Sequence, residues 1–86
     1  MTRRDALSAI GDTPLVRLAR LSPARGEVWV KLEAANPTGS QKDRMAVSVL
    51  TRAMARGALK PGERVVEYTA GSTGTALAFV CAAKGY

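Results

Sequence analysis

The chain has 86 residues, with 13 Lys plus Arg against 7 Asp plus Glu, no His, one Cys and one Trp. A chain this short forms one domain at most and buries only ~60–65% of its unfolded surface, so its core is thin. A single Cys without His excludes an internal disulfide, a Cys/His zinc centre and every Ser-His-Asp or Cys-His arrangement.

With 47% hydrophobic and 23% charged residues the composition is that of a globular chain. The net charge of +6 raises the question of nucleic acid. The basic residues are scattered, from Arg17 and Arg20 through Arg52 and Lys60 to Lys84. They form no stripe and have few aromatics between them, so attraction of small anions is the better reading. No apolar run reaches the ~18 residues of a membrane span. The amino terminus has two arginines but no apolar core and no small-residue cleavage site. The expectation is a cytoplasmic, reduced protein with neither a membrane nor a nucleic-acid partner.

Gly11-Asp12-Thr13-Pro14 reads as a turn, Leu15–Leu18 as a short strand and Ser22–Gly26 as a break. Glu27–Glu33 alternates, with Val28, Val30 and Leu32 on one side and Trp29, Lys31 and Glu33 on the other, which predicts a strand. Asn36-Pro37-Thr38-Gly39 fits a type I turn. Ser40 then reads as an N-cap, with Asp43 completing a shortened capping box. A helix follows with Met45, Ala46, Val49, Leu50, Ala53 and Met54 on one face, stopped by Gly57. Arg44 beside Asp43 reads as a local ion pair. Glu63–Tyr68 is a second predicted strand. It runs into Thr69–Gly74 and a helix from about Thr75 to Gly85 that is apolar on nearly every side, with Cys81 as a buried structural thiol.

Strand, helix, strand, helix with short connections implies an α/β fold built on a right-handed parallel crossover. Two parallel strands under a thin helical cover do not complete a domain, because parallel sheets are covered on both faces. Residues 1–86 therefore read as the opening segment of a larger, here incomplete, parallel-sheet protein. In such a unit both strand-to-helix loops emerge at the edge where ligands bind, and each precedes a helix N-terminus that favours an anion.

Lys42 stands out. A cation in the first turn of a helix is disfavoured by ~0.3–1 kcal/mol, and a local rule broken without evident gain points to a site. From the residues alone two readings stand: a solvated lysine balanced by Asp43, and a nucleophilic amine able to form a Schiff base. Thr69–Gly74 offers hydroxyls and glycines at a strand-to-helix junction, suited to clamping a carboxylate or phosphate, and equally to an ordinary tight turn. It is neither a Walker loop nor the dinucleotide fingerprint.

Three stretches then carry a resemblance: I-G-D-T-P-L-V-R-L at 10–18, K-L-E-A-A-N-P-T-G-S-Q-K-D-R at 31–44 and E-Y-T-A-G-S-T-G-T-A-L-A at 67–78. In order and spacing the chain resembles the amino-terminal part of pyridoxal-phosphate enzymes of the tryptophan-synthase-β class (fold type II), and within it the cysteine synthases. The resemblance implies that Lys42 holds pyridoxal 5'-phosphate as a Schiff base and later moves a proton. It implies that Thr69, Gly71 and Thr73 grip the substrate α-carboxylate. Ser72 stands where that family usually has an asparagine touching cofactor and substrate, and Ala70 where it usually has a serine. Both departures shorten hydrogen-bonding reach and leave the acceptor substrate open.

The implied reaction is β-replacement, O-acetylserine plus sulfide giving cysteine, with no metal, in an enzyme that can be a homodimer. Cystathionine β-synthase-like or serine/threonine dehydratase-like chemistry, or a non-catalytic anion-binding module, are the alternatives. The phosphate loop and second domain are expected beyond Tyr86, so residues 1–86 by themselves are expected to be inactive.

Overall fold

The computed structural model describes residues 2–86; Met1, with which the amino-terminal reading begins, lies outside them. A single 3-10 turn at Leu7–Ala9 leads into the Gly11–Pro14 bend. Strand β1 (Leu15–Arg17) and strand β2 (Trp29–Lys31) follow, then a second 3-10 turn at Glu33–Ala35, helix α1 (Lys42–Ala55) and helix α2 (Ser72–Lys84).

The sheet corrects the expected parallel arrangement. β1 and β2 pair antiparallel, with Leu15 opposite Lys31, Val16 opposite Val30 and Arg17 opposite Trp29. Residues 18–28 between them contain no helix, and a short connection returns a strand antiparallel, whereas a parallel partner needs a long crossover. Ser22 closes this connection: its Oγ donates to the Leu18 carbonyl at 2.8 Å and accepts from the Val28 amide at 3.0 Å.

The second predicted strand, Glu63–Tyr68, runs without regular hydrogen bonding. Among the described residues no backbone group of 64–68 bonds to another backbone group. The crossover from β2 through α1 thus reaches a segment rich in β-branched residues that has no ladder on either edge.

α1 ends where the sequence places the stop. The Gly57 amide donates to the Met54 carbonyl at 3.1 Å and the Ala58 amide to Ala53 at 2.9 Å, the paired bonds of a Schellman motif. α2 starts three residues earlier than the apolar run suggests, at Ser72. It ends on Gly85, whose left-handed φ of 82° a side chain would oppose.

The helices pack on each other through Ala46 and Leu50 of α1 and Ala76 and Val80 of α2, which form the buried core. Leu7, Ile10, Val47, Val65 and Leu77 close around it. Only one stripe of α2 is covered. Cys81 is half-buried, and burial pushes its thiol above the ordinary range.

Much apolar surface stays outside this core: Leu15, Trp29 and Val49 are exposed, and Val66 and Tyr68 are 82% and 98% exposed. The radius of gyration is 16.2 Å, against about 12 Å for a compact domain of this length. The accessible surface is 6318 Å², roughly 1,400 Å² more than the about 4,900 Å² of a compact monomer of this mass.

With so small a core, one side chain decides its stability. Leu50→Ala should cost about 2–4 kcal/mol. The check is urea titration of the helical circular dichroism signal, whose midpoint should fall sharply, whereas Val49→Ala on the exposed side should barely move it.

Candidate active site

The approach to α1 is built from side chains that satisfy one another. The turn at 36–39 closes with the Gly39 amide on the Asn36 carbonyl at 2.9 Å. The N-cap is Gln41, which makes no side-chain cap bond, and Ser40, expected as the cap, stands one residue ahead, where its Oγ accepts from the Lys42 amide at 3.1 Å. Asp43 does not complete a capping box. Its carboxylate is fully buried and reaches back across the turn, accepting from the Thr38 amide at 2.8 Å and from the Thr38 hydroxyl. Proximity in sequence favoured the Ser40 amide, but the turn brings Thr38 closer.

Arg44 does not pair with Asp43 either. Its guanidinium grips Glu33 with two donors, Nε to Oε1 at 2.5 Å and Nη2 to Oε2 at 3.1 Å, the forked geometry that makes such a pair strong. The same Nη2 donates to Thr13 Oγ1 at 3.0 Å, and the Thr13 hydroxyl donates to Glu33 Oε2. Asn36 is buried. Its Nδ2 donates to Glu33 Oε1 at 3.0 Å and its Oδ1 accepts from the Gly11 amide at 2.8 Å. Lys31 Nζ donates to the Thr13 carbonyl at 2.5 Å. The φ of 85° at Gly11 is left-handed and favours glycine, and a Cβ there would stand 3.1 Å from an Arg44 nitrogen, which would have to give way slightly.

The carboxyl of Glu33 is accordingly held down from 4.5 to about 2, first by the Arg44 hydrogen bond, then by those from Thr13 and Asn36. Arg44 is raised by the same pairing.

The second loop has a different construction. Thr69 Oγ1 accepts from the Gly71 amide at 3.3 Å and the Gly74 amide at 3.0 Å, which lets α2 begin at Ser72. The hydroxyl proton of Thr69 stays free to donate. The amides of Ser72 and Thr73, first in α2, have no backbone acceptor among the described residues. A Cβ at Gly74 would overlap Thr69 Cγ2, so anything larger than glycine there forces the Thr69 side chain to shift.

Each predicted site residue therefore has a place. Thr69, Ala70, Gly71, Ser72 and Thr73 together line one open cleft with Glu67 and Tyr68. Lys42 is half-buried at the head of α1 and does not line that cleft. Its Nζ takes part in no hydrogen bond or ion pair among the described residues. One turn on from Lys42, Ala46 shares the buried cluster with Ala76, one turn on from Ser72. A half-buried primary amine without a partner suits condensation with an aldehyde, and unpaired amides at a helix start suit a carboxylate.

Glu33, Asn36, Thr13 and Asp43 were not legible as a set. Glu33 read as the polar side of a strand, although the i, i+3 spacing of Glu33 and Asn36 before a turn was a usable signal.

The family described as pyridoxal-phosphate dependent enzyme matches residues 6–86. Cysteine synthase B of Salmonella typhimurium is 56% identical over 78 residues, covering 90% of this chain and 26% of that protein. O-ureido-L-serine synthase of Streptomyces lavendulae is 55% identical over 80 residues, covering 93% of this chain and 25% of its own length. A solved cysteine synthase of Entamoeba histolytica superposes with a TM-score of 0.89 at 40% identity, over all of this chain and 27% of that one. The chain thus spans about a quarter of the length of the curated relatives it matches.

Two outcomes are expected here. Because the Glu33 carboxyl is depressed in the folded state, its contribution is full above pH 4.5 and fades as the pH falls toward about 2. Thermal melts should show stability declining through that window, and Glu33→Gln should flatten the decline. Gly74→Ala should destabilise α2 by about 1–3 kcal/mol through overlap with the Thr69 methyl. Adding Thr69→Ser, which deletes Cγ2 and keeps the hydroxyl, should recover much of that loss in a double-mutant cycle.

Proposed function

We propose that this chain, which belongs to the family of pyridoxal-phosphate dependent enzymes, is the amine-bearing quarter of an enzyme that replaces the β-substituent of an activated serine, O-acetylserine and sulfide giving cysteine. The observation that carries the reading is the free, half-buried amine of Lys42, set between the anchored neighbours Ser40 and Asp43. The high identity to cysteine synthase B supports the reaction.

In this reading Lys42 Nζ binds the cofactor aldehyde and afterwards takes and returns the proton of the substrate α-carbon. The cofactor, when bound, supplies the electron sink. The Ser72 and Thr73 amides and the Thr69 hydroxyl proton receive the substrate carboxylate, assisted by the positive end of α2. Gly71 allows the close approach, and Ala70 adds no polar group. Ser72 contacts cofactor and substrate through a short hydroxyl, which leaves more room for the incoming nucleophile than an amide side chain.

The excess surface and the unladdered 63–68 segment support a part whose sheet is completed by further chain. The surplus of roughly 1,400 Å² exceeds the ~800 Å² per partner of an ordinary stable complex. The phosphate loop and the second domain belong to the remaining three quarters, as does any dimer face.

A second reading has a specific observation behind it: the identity to O-ureido-L-serine synthase is within one point of that to cysteine synthase B. The nucleophile would then be the hydroxyl oxygen of hydroxyurea.

The test joins this chain to the remaining three quarters of the Salmonella cysteine synthase B. Borohydride reduction with pyridoxal phosphate should fix the cofactor on Lys42, and Lys42→Ala should abolish both that adduct and turnover. An anion-binding module would keep its ligand affinity in Lys42→Ala. Product analysis with sulfide and with hydroxyurea separates the two synthase readings. The 86 residues alone should show no turnover, and robust turnover would overturn the partial-enzyme reading.

A further inference from the structure

We infer that Glu33 is a positioning residue for Lys42, acting through Arg44 and Asn36. The inference rests on the role proposed for Lys42 and goes beyond it, since Glu33 touches neither Lys42 nor the cleft at 67–73.

One carboxylate holds both ends of the segment that carries the amine. At the near end Glu33 Oε1 accepts from Asn36 Nδ2 at 3.0 Å. At the far end its two oxygens accept from Arg44 at 2.5 and 3.1 Å. Asn36 opens the turn before α1 and Arg44 lies in the first turn of α1, with Lys42 between them. Two loop ends pinned to a single rigid group lose the freedom to move relative to each other. Inside the clamp, Asp43 anchors Thr38 and Ser40 holds the Lys42 amide. The stem of Lys42 is therefore placed by its surroundings while its Nζ makes no bond of its own.

The clamp is tied outward as well. Thr13 bridges Glu33 and Arg44, and Asn36 Oδ1 holds the Gly11 amide at 2.8 Å. Removing the Glu33 carboxylate leaves the Arg44 guanidinium with Thr13 Oγ1 alone, while Asn36 Nδ2 keeps the Glu33 backbone carbonyl at 3.0 Å, so the far end of the segment is released from the near end. A reacting group displaced by about 1 Å loses on the order of 100-fold in rate, so even partial loosening is measurable at Lys42.

The experiment uses the joined full-length protein and reads each of the chain's four lysines: Lys31, Lys42, Lys60 and Lys84. Limiting pyridoxal phosphate is added, reduced with borohydride, and the adducts are counted by peptide mass spectrometry. The unaltered protein should label Lys42 preferentially. Glu33→Ala should lower labelling at Lys42 by about 10-fold or more, with Lys60 and Lys84 unchanged and the helical signal retained. Glu33→Gln, which keeps an acceptor and drops the charge, should fall between the two. If Glu33→Ala loses its helical signal, Arg44→Lys decides the matter. It keeps the charge without the fork and should depress Lys42 selectively by about 3-fold. Unchanged Lys42 labelling in the folded variants would overturn the inference. No preference for Lys42 in the unaltered protein would instead overturn the function proposed for the amine.

Discussion

The Glu33 carboxylate is the constraint on which the front half of this chain depends. It collects donors from Arg44, Thr13 and Asn36, which come from the head of α1, the Gly11–Pro14 bend and the turn before the helix. Hydrophobic burial cannot do this work here, because the buried core is confined to one small cluster on α1 and α2 and the strands have little apolar cover. A forked, charge-assisted cluster supplies direction as well as attraction. It fixes where α1 starts relative to β1 and β2, and with that the position of Lys42.

The two loops are held in different ways. The first is over-determined by an ion pair, a buried amide and a buried carboxylate. The second depends on one neutral hydroxyl and on a glycine packed against the side chain that bears it. That contrast suits the proposed division of labour. A covalent attachment point gains from rigidity, whereas a clamp for an arriving carboxylate keeps amides unpaired until the ligand comes.

The sequence made the elements legible to the extent that local signals decide them. Gly57 stops α1 and Ser40 stands within one residue of its N-cap because such signals are short-range chemistry, and the Asn36–Gly39 turn closes as its residue types require. Long-range choices were not legible. Arg44 passes over its neighbour Asp43 for a carboxylate eleven positions back, and Asp43 turns to Thr38. α2 starts early because the cap comes from Thr69, outside the helix, where apolar periodicity carries no information. The parallel sheet failed for the same reason: pairing depends on which strands are present, and among the described residues the only ladder available to β2 is the one with β1.

The 63–68 segment shows how far the fold is decided within these residues. Val65 turns toward the helical core, while Val66 and Tyr68 project outward, so the alternation of a strand is already in place. Among the described residues, the amides and carbonyls of 64–68 face no backbone partner on either side. Left in water that arrangement is marginal, since a lone strand forms no ladder and shelters little apolar area. It becomes favourable when neighbouring strands supply hydrogen bonds and a second layer covers Val66 and Tyr68. The loop that follows inherits this dependence, because Thr69 continues directly from Tyr68 and carries the cap on α2. In the proposed reading, further strands beside 63–68 would steady the loop at 69–73 as well, whereas the Glu33 cluster, tied to residues earlier in the chain, is already closed without them.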